Sequence, residues 1–191
     1  MVQQLKILNS KETKEIRELL LQQYGYEDKM DVVFMLSEKK QRIYLFTRDL
    51  VDFDLSRLRV DSMGLYFGTL FEGKIRLTIE GTQMIGSQCT KNVLEISKRE
   101  MQVWLQGEKL ELSKLDTSQA AESGEYVILR HGLDYLGCGK IGGNLILNYI
   151  PKTRYISAIF DDAPDTPIGS SERSDDVPNA AEWQDAESRT E

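Results

Sequence analysis

Six glycines lie between Gly124 and Gly143, and Asn148-Tyr149-Ile150-Pro151-Lys152-Thr153-Arg154 follows soon after. The pattern reads as two short apolar strands, a Gly137-Cys138-Gly139-Lys140 turn, a third strand, and a proline followed by two spaced cations. If extended backbone continues past Pro151, Lys152 and Arg154 leave the same face about 6.6 Å apart, two strand rises. Pro151 lacks a backbone donor, which suits an edge strand or a bulge and leaves that face accessible. Lys140 at its turn and Arg130 at a strand end add charge, and Tyr149 or Tyr155 offers a ring for stacking. Such a set suits a polyanion, either single-stranded or structured RNA, through phosphate contacts and base stacking. The same side chains would equally serve as solubilising surface on a small barrel, and spacing alone does not separate the two.

Catalysis finds little support. His131 is the one histidine, in a glycine-rich turn with no cysteine or serine at a signature spacing, so a structural or exposed role is expected, with base stacking as the alternative. One histidine and two distant cysteines, Cys89 and Cys138, do not fill a tetrahedral zinc site without carboxylates, and no C-x-x-C or H-E-x-x-H occurs. The Gly139-Lys140 pair is no Walker loop: Asp134 stands where the first glycine belongs, and Ile141 replaces the Ser or Thr. Cys138 reads as a small buried residue between glycines that permit a bulge. Asp52/Asp54 flank a short helix and Asp161/Asp162 open the tail, so neither pair is expected to act as an acid–base dyad. The expectation is a noncatalytic chain with no cofactor and no metal.

The 191 residues carry a formal net charge of −7, but the charge is unevenly placed. Residues 161–191 hold ten acidic side chains against Arg173 and Arg189, so residues 1–160 are nearly neutral. A local basic patch is therefore compatible with an acidic chain. Three of the four prolines (Pro164, Pro167, Pro178) also fall in this tail, which has few large apolar residues and is expected to be disordered. No signal peptide is evident. The longest apolar run, Val32–Leu36, is far short of the ~20 residues of a spanning helix. With two cysteines suited to a reducing compartment, the reading is a soluble cytoplasmic protein with no membrane partner.

The elements that would position the cations fall into two halves. In the first, Ile16, Leu19, Leu20 and Tyr24 set a helix over 10–23, with Asn9 as cap and Glu12 at the third helical position. Strands are predicted at Val32–Leu36, Arg42–Phe46, Gly64–Phe71 and Lys74–Ile79, with short helices within Asp49–Leu58 and Thr82–Gln88. In the second, Val93–Ile96 is a strand, and Ser97-Lys98-Arg99-Glu100 is a capping box opening a helix that stops at Gly107. Strands follow at Lys109–Leu112, Glu125–Arg130, Tyr135–Gly139 and Leu145–Ile150, with a last one at Arg154–Phe160. The fold class is α+β: a small α+β domain over 1–91, a partly open barrel over 92–160, and the acidic tail over 161–191.

Trp104-Leu105-Gln106-Gly107, Gly124-Glu125-Tyr126-Val127, Leu136-Gly137-Cys138-Gly139-Lys140 and the stretch Asn148–Tyr155 together resemble the PUA domain, an RNA-binding module. The last of these is similar to the PUA portion of Fmu/Sun-type RNA cytosine methyltransferases. Ser62–Ile79 resembles the small α+β domain preceding PUA in a ribosome-biogenesis factor family. The resemblance implies a pseudobarrel that binds structured RNA, rRNA or tRNA, in ribosome biogenesis, rRNA processing or RNA modification. It implies RNA contacts at Lys140, Lys152 and Arg154, to which the residues themselves add Arg130 and Tyr149. The methyltransferase domain of those relatives has no counterpart here, so methylation by this chain is not expected. The alternative is a protein-interaction adaptor for an RNA methyltransferase or a ribosome-assembly factor.

Overall fold

In the first half, an antiparallel sheet is built by β1 (Leu5–Ile7), β2 (Val33–Ser37), β3 (Arg42–Phe46), β4 (Leu65–Phe71) and β5 (Lys74–Leu77), in sequence order. Helix α1 (Ser10–Tyr24) lies between β1 and β2. The computed structural model describes residues 5–48, 64–115 and 124–156, all within one unit, Met1–Ile159. The expected helix within Asp49–Leu58, the Asp52/Asp54 pair, the strand beyond 156 and the acidic tail lie outside the described residues.

The α1 start is the capping box read from sequence. Asn9 Oδ1 accepts from the Lys11 and Glu12 amides at 3.0 Å, and Glu12 Oε2 accepts from the Asn9 amide at 2.9 Å. Its stripe of Ile16, Leu20 and Tyr24 is buried against the sheet. Strand β1 carries no clear alternation in three residues, which is why the sequence reading lacks it.

Helix α2 (Ile79–Ile85) begins earlier than expected, and β5 ends at Leu77 rather than Ile79. The cause is a bulge in β4: Ile43 pairs with Gly68 but Tyr44 with Tyr66, leaving Phe67 extra. Thr78 turns the chain there, its hydroxyl donating to the Tyr66 carbonyl at 2.6 Å and accepting from the Gly81 amide at 3.0 Å.

The second sheet has the order β6 (Val93–Glu95), β8 (Tyr126–His131), β9 (Asp134–Gly142), β10 (Leu145–Asn148), β7 (Leu110–Glu111), with only β6–β8 parallel. Helix α3 (Lys98–Leu105) follows its Ser97/Glu100 capping box, and Gly107 beyond it has φ 90°. Gly137-Cys138-Gly139-Lys140 is not a turn, as its glycines suggested, but the middle of β9. Two β9 residues, Leu136 and Gly137, bulge opposite Leu129, and Gly137 adopts φ 101°, which side chains with a Cβ rarely take. The buried Trp104 indole donates to the Leu136 carbonyl at 3.0 Å. Gly139 lets the ring in: a Cβ there would lie 3.0 Å from Trp104 Cη2 and 2.4 Å from Ile146 Cγ2.

One core joins both halves, holding Leu20, Tyr24, Phe67 and Ile75 together with Ile128 and Cys138. Its polar centre is the free edge of β5. The hairpin turn Glu72-Gly73 has positive φ at both residues and pairs Phe71 with Lys74. The next pair is of the non-hydrogen-bonded kind, so Ile75 points its N–H and C=O outward. Gln23 meets both: its Oε1 accepts from the Ile75 amide at 2.9 Å and its Nε2 donates to the Ile75 carbonyl at 2.9 Å. Tyr24 donates its hydroxyl to the same carbonyl at 2.6 Å and lies 3.4 Å from Cys138 Sγ.

Replacing Gln23 with Ala orphans a buried backbone N–H and is expected to cost ~1–3 kcal/mol in urea unfolding. Burial pushes the Cys138 thiol up to about 11 and the Cys89 thiol up to about 12, from an ordinary 9.0. The folded chain therefore holds these protons longer than the unfolded chain. Their contribution to stability should be fully present below about pH 9 and be lost as pH rises toward 11–12. At pH 8, buried Cys138 should react with iodoacetamide far more slowly in the folded chain than in the denaturant-treated chain.

Candidate nucleic-acid interface

Strand alternation on β5 sends Ile75 and Leu77 into the core and turns Arg76 the other way. Arg76 lies over the Tyr149 ring at 4.5 Å. Tyr149, just after β10, meets Tyr126 edge-on at 6.2 Å. Lys140 on β9 sits opposite Tyr126 of β8 and reaches over its ring at 5.6 Å. The same Lys140 ammonium is 5.9 Å from the Phe71 ring at the β4–β5 hairpin. The result is a chain of cation–ring and ring–ring contacts through Arg76, Tyr149, Tyr126, Lys140 and Phe71 that links both sheets, with Tyr126 itself buried. Phe71 and Tyr149 are half exposed, at 51% and 40%. Burial pushes the Tyr126 phenol above its usual range despite the opposing pull of Arg76, so the ring beside Lys140 stays neutral. Lys74 pairs with Glu125 at 2.5 Å and ties the hairpin to the start of β8.

The Arg76 end of this run opens into a cleft of about 500 Å³. Arg42 on β3, 5.0 Å from the Tyr66 ring centroid, lines it, as do Arg154 and Glu80. Arg154 and Glu80 are joined at 2.6 Å by an exposed pair. Pairs of this kind contribute ~0–1 kcal/mol, so a phosphate can compete for the guanidinium.

The structure thus brings Tyr149, Arg154 and Lys140 to connected surfaces. Lys152 and Arg154 do not share a strand face as the sequence suggested. Both lie on the 3₁₀ turn Lys152–Arg154, closed by the Arg154 amide donating to the Pro151 carbonyl at 2.8 Å. The chain turns because Asn148 Oδ1 takes the Ile150 amide at 2.8 Å and Ile156 docks its amide on the Leu105 carbonyl at 3.0 Å. Lys152 is exposed and makes no ion pair among the described residues. Lys140 sits within β9, not at the turn expected from its glycine neighbours.

Arg130 stands apart. It lies four residues along β8 from Tyr126, about 13 Å. It pairs with Glu95 at 2.7 Å, across the parallel β6–β8 register. Partial burial of Glu95 raises its carboxyl, but the Gly132 amide and the Arg130 guanidinium outweigh that and hold it below the usual range. Beside it His131 hydrogen-bonds the Ile96 carbonyl through Nδ1 at 2.8 Å, a structural contact.

Arg42, Tyr66, Arg76 and Glu80 are not among the RNA-contact residues expected from the sequence. The alternation of Lys74–Leu77 shows that Arg76 faces away from its apolar neighbours, but what it faces is set by the packing of two sheets. Among the described residues no cluster of three metal-ligating side chains forms, and no helix is long and apolar enough to cross a membrane.

The family model described as the PUA domain of the methyltransferase RsmF matches residues 91–156. No curated protein matches the chain. Among solved structures, a conserved PUA-domain protein from Thermoplasma acidophilum is similar at TM-score 0.51 and 11% identity, over 76% of this chain and 82% of that one. A PUA-domain protein from Aeropyrum pernix K1, solved with tartrate, is similar at TM-score 0.51 and 12% identity, over 78% and 86%. The described chain therefore has an α+β fold of the PUA-domain kind, and its second sheet resembles the PUA portion of the Sun-type methyltransferases.

Proposed function

We propose that the chain is a noncatalytic RNA-binding protein of the cytoplasm, acting in rRNA processing, ribosome biogenesis or RNA modification. The observation that carries this reading is the linked set Arg76, Tyr149, Tyr126, Lys140 and Phe71, with Arg154 lining the cleft at its Arg76 end and Lys152 on the same turn as Arg154. Ammonium and guanidinium groups meet phosphates, and half-exposed rings meet bases whatever their identity. The likeness to PUA domains supports RNA as the polyanion. The matched domain is named for a methyltransferase, which supports such an enzyme or an assembly factor as a protein partner. A structured rRNA or tRNA is the ligand of this reading.

If ~3–5 phosphates are contacted, log affinity should fall against log salt with a slope of about −2 to −4. Lys140→Ala, and the double change Lys152→Ala with Arg154→Ala, should each weaken binding of structured RNA. Each should also flatten that slope by about one for every phosphate that is no longer neutralised. Arg130→Ala, remote and already paired, should leave the slope as it is. Unchanged affinity in all the lysine variants would overturn the assignment.

A further inference from the structure

We propose that the cleft bounded by Arg42, Arg76 and Arg154 receives one unpaired nucleotide of the bound RNA, its amino-bearing edge turned toward Glu80. This rests on the RNA reading above and assigns the class of ligand to a concavity that reading leaves open. At about 500 Å³ the cleft falls within the ~300–1,000 Å³ of small-ligand sites. A double helix presents a convex surface and cannot enter it; a base swung out of the stack can.

Two walls are already arranged for a flat, electron-rich ring. The Arg76 guanidinium lies over the Tyr149 ring at 4.5 Å and that of Arg42 over the Tyr66 ring at 5.0 Å, so both groups have a ring partner before any ligand arrives. A guanidinium seated on one ring offers its other face to a second. This ordering reduces the entropy a ligand would have to remove. Neither arginine pairs with a carboxylate among the described residues.

Glu80 decides between a base and a bare phosphate. Among the described residues it is the one carboxylate lining the cleft, joined to Arg154 at 2.6 Å. A site built for phosphate alone gains nothing from a carboxylate, which repels the anion. A carboxylate holding one guanidinium bond keeps free lone pairs. Adenine N6 or cytosine N4 donates to such an acceptor, whereas uracil presents carbonyl oxygens on either side of its single N–H. With Glu80 on the base edge, Arg154 and Arg42 remain for the flanking phosphates.

The test measures affinity of the full chain for three RNAs sharing one stem: continuous, with a single bulged adenosine, and with a single bulged uridine. Base stacking at this level should make the adenosine bulge bind roughly tenfold more tightly than the continuous stem. The uridine bulge should gain less. Arg76→Lys keeps the charge but not the plane and should cut the adenosine gain to about twofold or less, while an unchanged circular dichroism spectrum and urea midpoint show that it is folded. Arg42→Lys should reduce the gain in the same direction, and Glu80→Gln should narrow the difference between adenosine and uridine. Equal wild-type affinity for continuous and bulged stems would overturn the proposal and leave RNA binding standing. So would full retention of the gain in both lysine variants. Failure to bind any of the three at low salt would overturn the RNA reading itself.

Discussion

Ile75 turns a backbone N–H and a C=O away from its own sheet, and both are buried where α1, β5 and β9 meet. Left unpaired, they would cost several kcal/mol together. The Gln23 amide answers both groups, Tyr24 adds a second donor to the carbonyl, and its hydroxyl reaches Cys138 of the other sheet. A sheet edge that would otherwise be a pairing hazard is thereby closed by side chains. The fit also sets geometry. With Ile75 fixed inward, its neighbour Arg76 is fixed outward, and with Cys138 fixed, Lys140 two residues on lies on a determined face of β9.

The interface follows from that constraint. Arg76 of the first sheet meets Tyr149 just after β10, and Lys140 of the second sheet meets Phe71 of the first; these contacts form because one core is shared between the sheets. Two bulges complete the arrangement. The bulge at Leu136–Gly137 frees a carbonyl for Trp104 of α3. The bulge at Phe67 supplies the Tyr66 carbonyl that stops β5 at Thr78, starting α2 and placing Glu80 beside Arg154. Both irregularities leave the cleft open between elements that are themselves regular.

Local signals in the sequence carry much of this. Two capping boxes, at Asn9 and Ser97, mark helix starts because their hydrogen bonds close within three residues. Val33–Ser37, Arg42–Phe46 and the Glu72-Gly73 hairpin are readable from apolar runs and turn chemistry. The misreadings share one cause. Glycine at 137–140 reads as a turn, yet it answers two nonlocal demands there: the φ of a bulge, and space for Trp104. Lys152 and Arg154 read as a strand because nothing near them shows that Ile156 docks on Leu105, which turns the segment. Among the candidate cations, the ion pair of Arg130 with Glu95 depends on a parallel register between β6 and β8, beyond the reach of spacing. The arginines of the first sheet escape notice for the same reason: their partner rings are set by strand pairing and by the packing of the two sheets.

The central claim is that cations and rings from both sheets form one RNA-binding surface. An NMR titration of the full chain with a structured RNA, followed through backbone amide shifts, tests it most directly. The account predicts that the largest changes fall together at Phe71, Arg76, Lys140, Tyr149 and Lys152, spanning both sheets. Changes confined to the far end, around Glu95, Arg130 and Leu133, would contradict it.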